Sequence, residues 1–435
     1  MVVAPAGVLG TGPLFVAFRL QPRLPSMLRT IGVVLTVLIL GSASVAAQSA
    51  EAPAADSQID VFDLWRTVRH KEPAPDDASW DYRKAMKAFA PVIGAKPSSG
   101  ALFGVAGNIA FYRGDPSTTK ISSVVTSLTF STKKQISLTD RMAIFTRNDR
   151  VRFDADHRFQ WTSLETNPLG TSADTRDSIQ TGFDFFRLHH SAFYRLRPSL
   201  FAGGGLYYDT HTGVGPHDDD AAAWQDSAYV TYSEVHGLPL DSQSSAGASV
   251  DVIWDSRDSV INAQRGWFAK LGYRALFDGF LGGDSHWERV NLDVRTYRPV
   301  TASGRHKIAV WLSADLVVDG VAPYFDLPAT GQDTYGRSAR GYREGQFRGE
   351  RLAYGEIEYR GTLTSNGLLG MVVFLNSTTA SNLESGETIF DSFATGGGAG
   401  LRLSINKRSK TNLCFDVGFG KSGSKGVYLS IQEAF

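Results

Sequence analysis

The chain has 435 residues, with 44 basic and 44 acidic side chains and a formal net charge of zero. That balance argues against a nucleic-acid binder, which would carry a basic stripe. The single cysteine, Cys414, excludes an intramolecular disulfide and any Cys-x-x-Cys redox or zinc motif.

The amino-terminal region reads as an export signal. Ile31 to Leu40 (IGVVLTVLIL) is an uncharged apolar run, preceded by Arg19, Arg23 and Arg29 and followed by small residues from Gly41 to Ala47. A basic start, a short apolar core and a small-residue exit describe a secretory signal cut after Ala46 or Ala47. The core falls short of the roughly 20 residues a spanning helix needs, and Met27 offers an internal start. Residues 1–47 are therefore assigned to a signal peptide and 48–100 to a short periplasmic lead-in. Within the lead-in, Glu72-Pro73-Ala74-Pro75-Asp76-Asp77 reads as linker, and Asp81 to Ala90 (DYRKAMKAFA) as one amphipathic helix stopped by Pro91.

From Ala101 onward the pattern changes to a period of two. Strand segments fall at 101–112, 121–132, 135–146, 150–157, 159–165, 179–194, 199–210 and 246–255. They continue at 266–277, 287–298, 305–317, 351–362, 367–378, 395–405, 410–419 and 426–435. In Ala246 to Asp255, Ala248, Val250, Val252 and Trp254 share one face, with Ser249, Asp251 and Asp255 on the other. The same alternation puts Lys270, Arg274, Arg289, Asp293, Arg295 and Asp315 on polar faces. A soluble sandwich also alternates. Ten-residue segments with aromatic ends and a charged inner face favour an outer-membrane barrel instead. The predicted fold is all-β: a transmembrane antiparallel β-barrel of 16 strands over 101–435. Long connections at 212–245 and 319–350 both follow odd strands, which places them outside the cell when the amino terminus is periplasmic.

Several motifs fall in order along the second half. Asp255-Ser256-Arg257-Asp258 precedes Gly266; Arg340-Gly341-Tyr342 lies in SARGYREGQFRGE; Gly355-Glu356-Ile357-Glu358 follows on the next strand; and NLCFDVGFGKSGSKGVYLSIQEAF closes the chain at Phe435. Together they resemble the bacterial surface antigen, or barrel-assembly, superfamily of BamA/TamA-like outer-membrane barrels. The resemblance covers about 245–435; residues 101–244 match in strand rhythm alone. It implies that Arg340, Gly341 and Tyr342 anchor a luminal loop on Glu356 and Glu358. It also implies that Asp255, Arg257, Asp258 and Gly266 form a periplasmic turn, and that Phe435 is a carboxy-terminal insertion signal. The chain departs from the pattern at Phe374-Leu375-Asn376, where the family usually has Phe-x-Asp-x-Gly. Asn376 brings no charge, so a looser anchor is expected. The segment between Ala47 and Ala101 leaves no room for POTRA domains, so the resemblance implies a member lacking them.

Enzyme motifs are incomplete. Gly420-Lys421-Ser422 resembles the tail of a phosphate loop, but Phe415 stands where that motif needs glycine. Gly336-Arg337-Ser338-Ala339-Arg340 misses G-x-S-x-G at its last position. His189 and His190 are neighbours on a strand and face opposite ways, and His217-Asp218-Asp219-Asp220 reads as a solvated loop. The sequence assigns no catalytic residue, metal or cofactor, and the expectation is no enzyme. The resemblance implies a bacterial outer-membrane protein that inserts or translocates protein or lipid through a weak seam between strands 101–112 and 426–435. The alternative is a passive pore or a surface-structural barrel. The implied partners are outer-membrane lipids and lipopolysaccharide, the barrel-assembly machinery for the chain's own insertion, and unfolded protein or lipid clients, with no nucleic acid.

Overall fold

In the computed structural model, residues 58–70, 81–96, 100–175, 178–217 and 223–435 are described. The signal-peptide assignment, the linker at 72–77 and Asp218–Asp220 lie outside them.

Sixteen strands form one closed antiparallel barrel, each paired with its neighbours in chain order. They are β1 (Met86–Lys96), β2 (Gly100–Phe111), β3 (Ser122–Ser131), β4 (Ile136–Phe145), β5 (Val151–Thr166), β6 (Ile179–Arg197), β7 (Leu200–Pro216) and β8 (Ser242–Asp255). The circuit continues through β9 (Gly266–Leu276), β10 (Trp287–Pro299), β11 (His306–Gly320) and β12 (Arg351–Thr362). It ends with β13 (Leu369–Ala380), β14 (Ala394–Asn406), β15 (Thr411–Phe419) and β16 (Lys425–Ile431). Among the described residues two α-helices stand outside the wall, α1 (Val61–Val68) and α2 (Ala228–Val235). No helix among the described residues is long and apolar enough to cross a membrane.

The alternation sorts the side chains as a membrane barrel requires. Val250, Val252 and Trp254 of β8, Leu271 of β9 and Leu312 of β11 are exposed on the outer wall. Asp251, Asp255 and Arg295 are buried on the lumen side, where Asp251 meets Lys270 at 3.2 Å.

Two corrections to the sequence reading cancel in the strand count. Segments 150–157 and 159–165 are the single 16-residue strand β5. The helix expected at Asp81–Ala90 is not formed; its last five residues begin β1, so the barrel starts at Met86 rather than Ala101. Ala88 and Ala90 are buried while Phe89 and Ile93 are exposed, a period of two that small inward residues made look helical. Pro91 does not end this element. On its seam side β1 makes one register pair among the described residues, Ala95 with Val427, so a missing N–H costs little there. The seam therefore lies between β1 and β16, not between 101–112 and the last strand. β16 itself stops at Ile431: Gln432 takes φ 75° and the last residues turn into the lumen.

The mouth of the barrel that carries the long connections is capped. β7 and β8 run beyond their expected ends, so the connection expected at 212–245 is shorter and carries α2. Ser227 caps that helix, its hydroxyl accepting from the Val230 N–H at 3.2 Å. Tyr229 and Val230 pack with Tyr324 and Phe325 of the β11–β12 connection and with Phe183, Phe185 and Trp287 of the wall. Tyr232 donates to the Ala322 carbonyl at 2.9 Å, tying the two connections together.

Candidate functional site

The β11–β12 connection folds into the barrel. Near its tip the Asp333 carboxylate accepts from the backbone N–H groups of Tyr335, Arg337 and Ser338 at 2.9, 3.0 and 2.7 Å. The tip reaches the far wall, where Arg141 of β4 and Arg158 of β5 donate to the carbonyls of Thr334 and Asp333, each at 3.0 Å. Arg295 of β10 lies 4.8 Å from the Tyr335 ring centroid.

On the near wall the loop presents Arg340, 1% exposed. β12 turns Tyr354, Glu356, Glu358 and Arg360 inward, because alternate residues of a strand share a face. Arg340 donates to Glu356 at 2.6 Å and to Glu358, and its other terminal nitrogen donates to Asp416 of β15 at 2.7 Å. Its guanidinium lies 3.7 Å from the centroid of the Phe374 ring on β13. The sequence reading assigned no role to Asp416 or Phe374. An acidic residue on the inward face of the penultimate strand was the available signal for the first.

The anchor belongs to a larger charge network. Arg360 donates to Glu358 at 2.5 Å, and Arg402 bridges Asp416 and Glu433 at 2.5 and 2.7 Å. Three guanidiniums thus meet four carboxylates, and all seven side chains are buried. Charges taken out of water persist only when so compensated. Arg360 also donates to the Phe435 carbonyl at 3.0 Å, and the Phe435 ring lies 5.4 Å from Trp311 in the lumen.

Asn376 has a different part from the one expected. Its amide nitrogen donates to the Arg340 backbone carbonyl at 3.0 Å and approaches Glu356 at 3.4 Å. Both neighbours are acceptors, so aspartate here would remove a donor and add a fifth carboxylate. Asn376→Asp is therefore expected to destabilise the barrel by about 1–3 kcal/mol, the usual cost of a buried unsatisfied group. A urea midpoint raised by this substitution would show that the neutral amide is the weaker choice.

Gly341 and Tyr342 lay the loop flat against the closing hairpin. Gly341 has φ 111°, and a β-carbon there would sit 2.7 Å from the Phe419 backbone. The Tyr428 hydroxyl accepts from the Gly341 N–H at 3.0 Å. Tyr342 is buried edge-on against Phe347; its hydroxyl donates to the Thr395 carbonyl at 2.5 Å and accepts from the Lys421 N–H at 2.9 Å.

The β8–β9 turn gathers its own charges. Asp255, fully buried, accepts from Arg257 at 3.0 and 2.8 Å and from Arg152 at 3.1 Å, with Lys120 at 3.1 Å. Asp258 accepts from the Gln264 N–H at 2.8 Å, and Gly266, at φ 109°, admits the Arg257 backbone. Asp255→Ala would leave three cations without this counter-ion. A loss of about 3–5 kcal/mol is expected, read as a lower temperature at which the folded band disappears on unheated gels.

Of the candidate histidines, His189 faces the lumen and meets Asp209 at 2.8 Å, whereas His190 meets His157 at 3.0 Å. Among the described residues, His286, Glu288 and Asp319 at the barrel rim beside the β11–β12 connection bring three donor atoms close enough to share a metal ion. The lumen beside the loop holds cavities of about 280 and 210 Å³, the larger lined by Arg187, Asp209, Lys270, Arg274 and Asp315.

A closed sixteen-strand barrel with an apolar outer wall, a charged lumen and an inward loop is an outer-membrane β-barrel. The Omp85 superfamily domain matches residues 112–420, and the chain belongs to that superfamily. It is similar to BamA from Haemophilus ducreyi lacking POTRA domains 1–3, at 12% identity and a TM-score of 0.50, over 80% of this chain and 69% of that one. CdiB from Acinetobacter baumannii matches at 11% identity and a TM-score of 0.51, over 80% of this chain and 59% of its own. CdiB from Escherichia coli matches at 13% and 0.51, over 83% and 63%. The chain thus spans less than two thirds of either CdiB. No curated protein matches. At these identities the likeness is one of fold, and the superfamily places the protein in the bacterial outer membrane.

Proposed function

We propose that this barrel inserts or translocates protein, or lipid, at the outer membrane through the β1–β16 seam, with the Arg340 anchor holding the internal loop in place. The observation that carries the reading is the pairing of a strongly held loop with a weakly held seam. Arg340 meets three carboxylates from β12 and β15, while among the described residues β1 and β16 share one register pair. A wall that must open laterally needs few rungs to break. A loop fixed to the neighbouring strands keeps the rest of the wall in register meanwhile. The clients in this reading are unfolded protein or lipid, met among lipopolysaccharide and outer-membrane lipids. The chain's own side chains perform no bond chemistry.

The test is reconstitution. Liposomes containing the purified barrel are expected to speed the folding of a urea-unfolded barrel client, or the transfer of a labelled lipid, relative to liposomes holding an unrelated barrel. Equal rates for both cargoes would overturn the proposal.

The passive-pore alternative draws support from the charged lumen. The loop crossing that lumen and the small cavities beside it weigh against a steady channel. Single-channel recording is expected to show small, unsteady currents, whereas large constant conductance would favour the pore.

A further inference from the structure

α1 is held to the barrel by its polar side and shows its apolar side to the surroundings. The helix is closed at its start by Asp60, which accepts from the Asp63 N–H at 3.0 Å, and by Asp63, which accepts from the Asp60 N–H at 3.3 Å. The same two carboxylates turn toward the barrel: Asp63 pairs with Lys407 at 3.0 Å, and Asp60 accepts from the Lys407 N–H at 3.0 Å. The Ile59 N–H donates to the Asn366 carbonyl at 3.0 Å. The helix is thereby fastened beneath two periplasmic connections, β12–β13 and β14–β15.

Opposite this fastening lie Phe62, Leu64, Trp65 and Val68, exposed by 47, 46, 52 and 72%. At 100° per residue these four fall on one arc, turned away from Asp63. Phe62, Leu64 and Trp65 are as exposed as the barrel's lipid-facing belt, where Leu312, Ile357 and Leu401 are 50, 47 and 55% exposed, and Val68 is more so. The belt continues down to the helix through Leu369 and Leu363, the latter in the connection that accepts from Ile59. Arg66 lies beside the arc next to Phe62, and Arg69, at the helix's carboxy-terminal end, lies 3.8 Å from the Trp65 ring centroid.

We propose that α1 is an interfacial anchor whose apolar arc lies in the inner leaflet of the outer membrane, as a continuation of the barrel's lipid-facing belt. A helix with aromatic and aliphatic residues on one side, one arginine beside them and another at its end suits the boundary of headgroups and acyl chains. The arginines meet lipid phosphates while Phe62, Leu64, Trp65 and Val68 enter the apolar layer. The anchor adds a second membrane contact below the strands that carry Glu356, Glu358 and Asn376. It is independent of any client.

The experiment places an environment-sensitive dye on a single cysteine at Leu64→Cys or Val68→Cys, in the full chain carrying Cys414→Ser. Ala302→Cys, in an exposed periplasmic turn, and Leu375→Cys, on the belt, serve as references. Each variant is reconstituted into vesicles of phosphatidylethanolamine and phosphatidylglycerol with or without brominated acyl chains. Folding is confirmed by gel mobility. Dyes at 64 and 68 are expected to emit to the blue of the dye at 302 and to be quenched by brominated lipid, as at 375. Emission and quenching matching position 302 would overturn the proposal and leave the arc to a periplasmic protein partner.

Discussion

Arg340→Ala is expected to lower the stability of the barrel by about 3–5 kcal/mol, the scale of breaking a buried ion pair from one side. The substitution leaves Glu356, Glu358 and Asp416 facing one another in the lumen without the cation they share. It also removes the guanidinium that covers the Phe374 ring. The loop should come loose from β12 and β15, and the folded band on unheated gels should vanish at a lower temperature. Arg340→Lys should recover only part of the loss, because one ammonium cannot reproduce the fork that reaches β12 and β15 together. An unchanged unfolding midpoint in Arg340→Ala would mean that the network is held by Arg360 and Arg402 alone.

Closing the seam is expected to have the largest effect on activity. Ala95→Cys with Val427→Cys, in a Cys414→Ser background, places two thiols on the only register pair joining β1 to β16 among the described residues. Oxidation should abolish insertion or translocation and reduction should restore it, with the barrel folded in both states. The reversal separates a blocked gate from a damaged fold. Full activity in the cross-linked form would remove the seam from the proposed mechanism. Neighbouring β1–β2 holds eleven register pairs, so the same pair of cysteines placed there should have no redox-dependent effect.

The sequence made the barrel legible where strands are long and alternate strictly, as in β8 to β12. It misled where inward residues are small. The segment Asp81 to Ala90 read as an amphipathic helix, a reading that its alanines do not oppose, and Pro91 read as its end. In the barrel those alanines let β1 lie close to Ile405 and Ile431, next to a seam with a single register pair among the described residues. Local pattern cannot register that circumstance, because it depends on the last strand of the chain.

The site was legible in part for a similar reason. Glu356 and Glu358 stand on one face of one strand, close in sequence to the Arg340 motif, so alternation alone puts them together. Asp416 comes from β15, with a separation of 76 residues from Arg340, and only closure of the barrel brings it near. Asn376 was read by its missing charge, whereas its position opposite a carbonyl and a carboxylate makes its N–H groups the useful feature. Phe435 was read as an insertion signal at the end of a strand reaching 435. The strand stops at Ile431, and the turn at Gln432 sends Phe435 among Trp311 and Tyr297 in the lumen.

The central claim is that this barrel moves other molecules into or across the outer membrane. Conditional depletion followed by quantitative proteomics of the outer membrane tests it most directly. Selective loss of particular barrels or surface lipoproteins, ahead of any general envelope damage, is the result predicted. An outer-membrane proteome unchanged after full depletion would contradict the claim for protein clients, and an unchanged surface lipid composition in the same cells would contradict it for lipid.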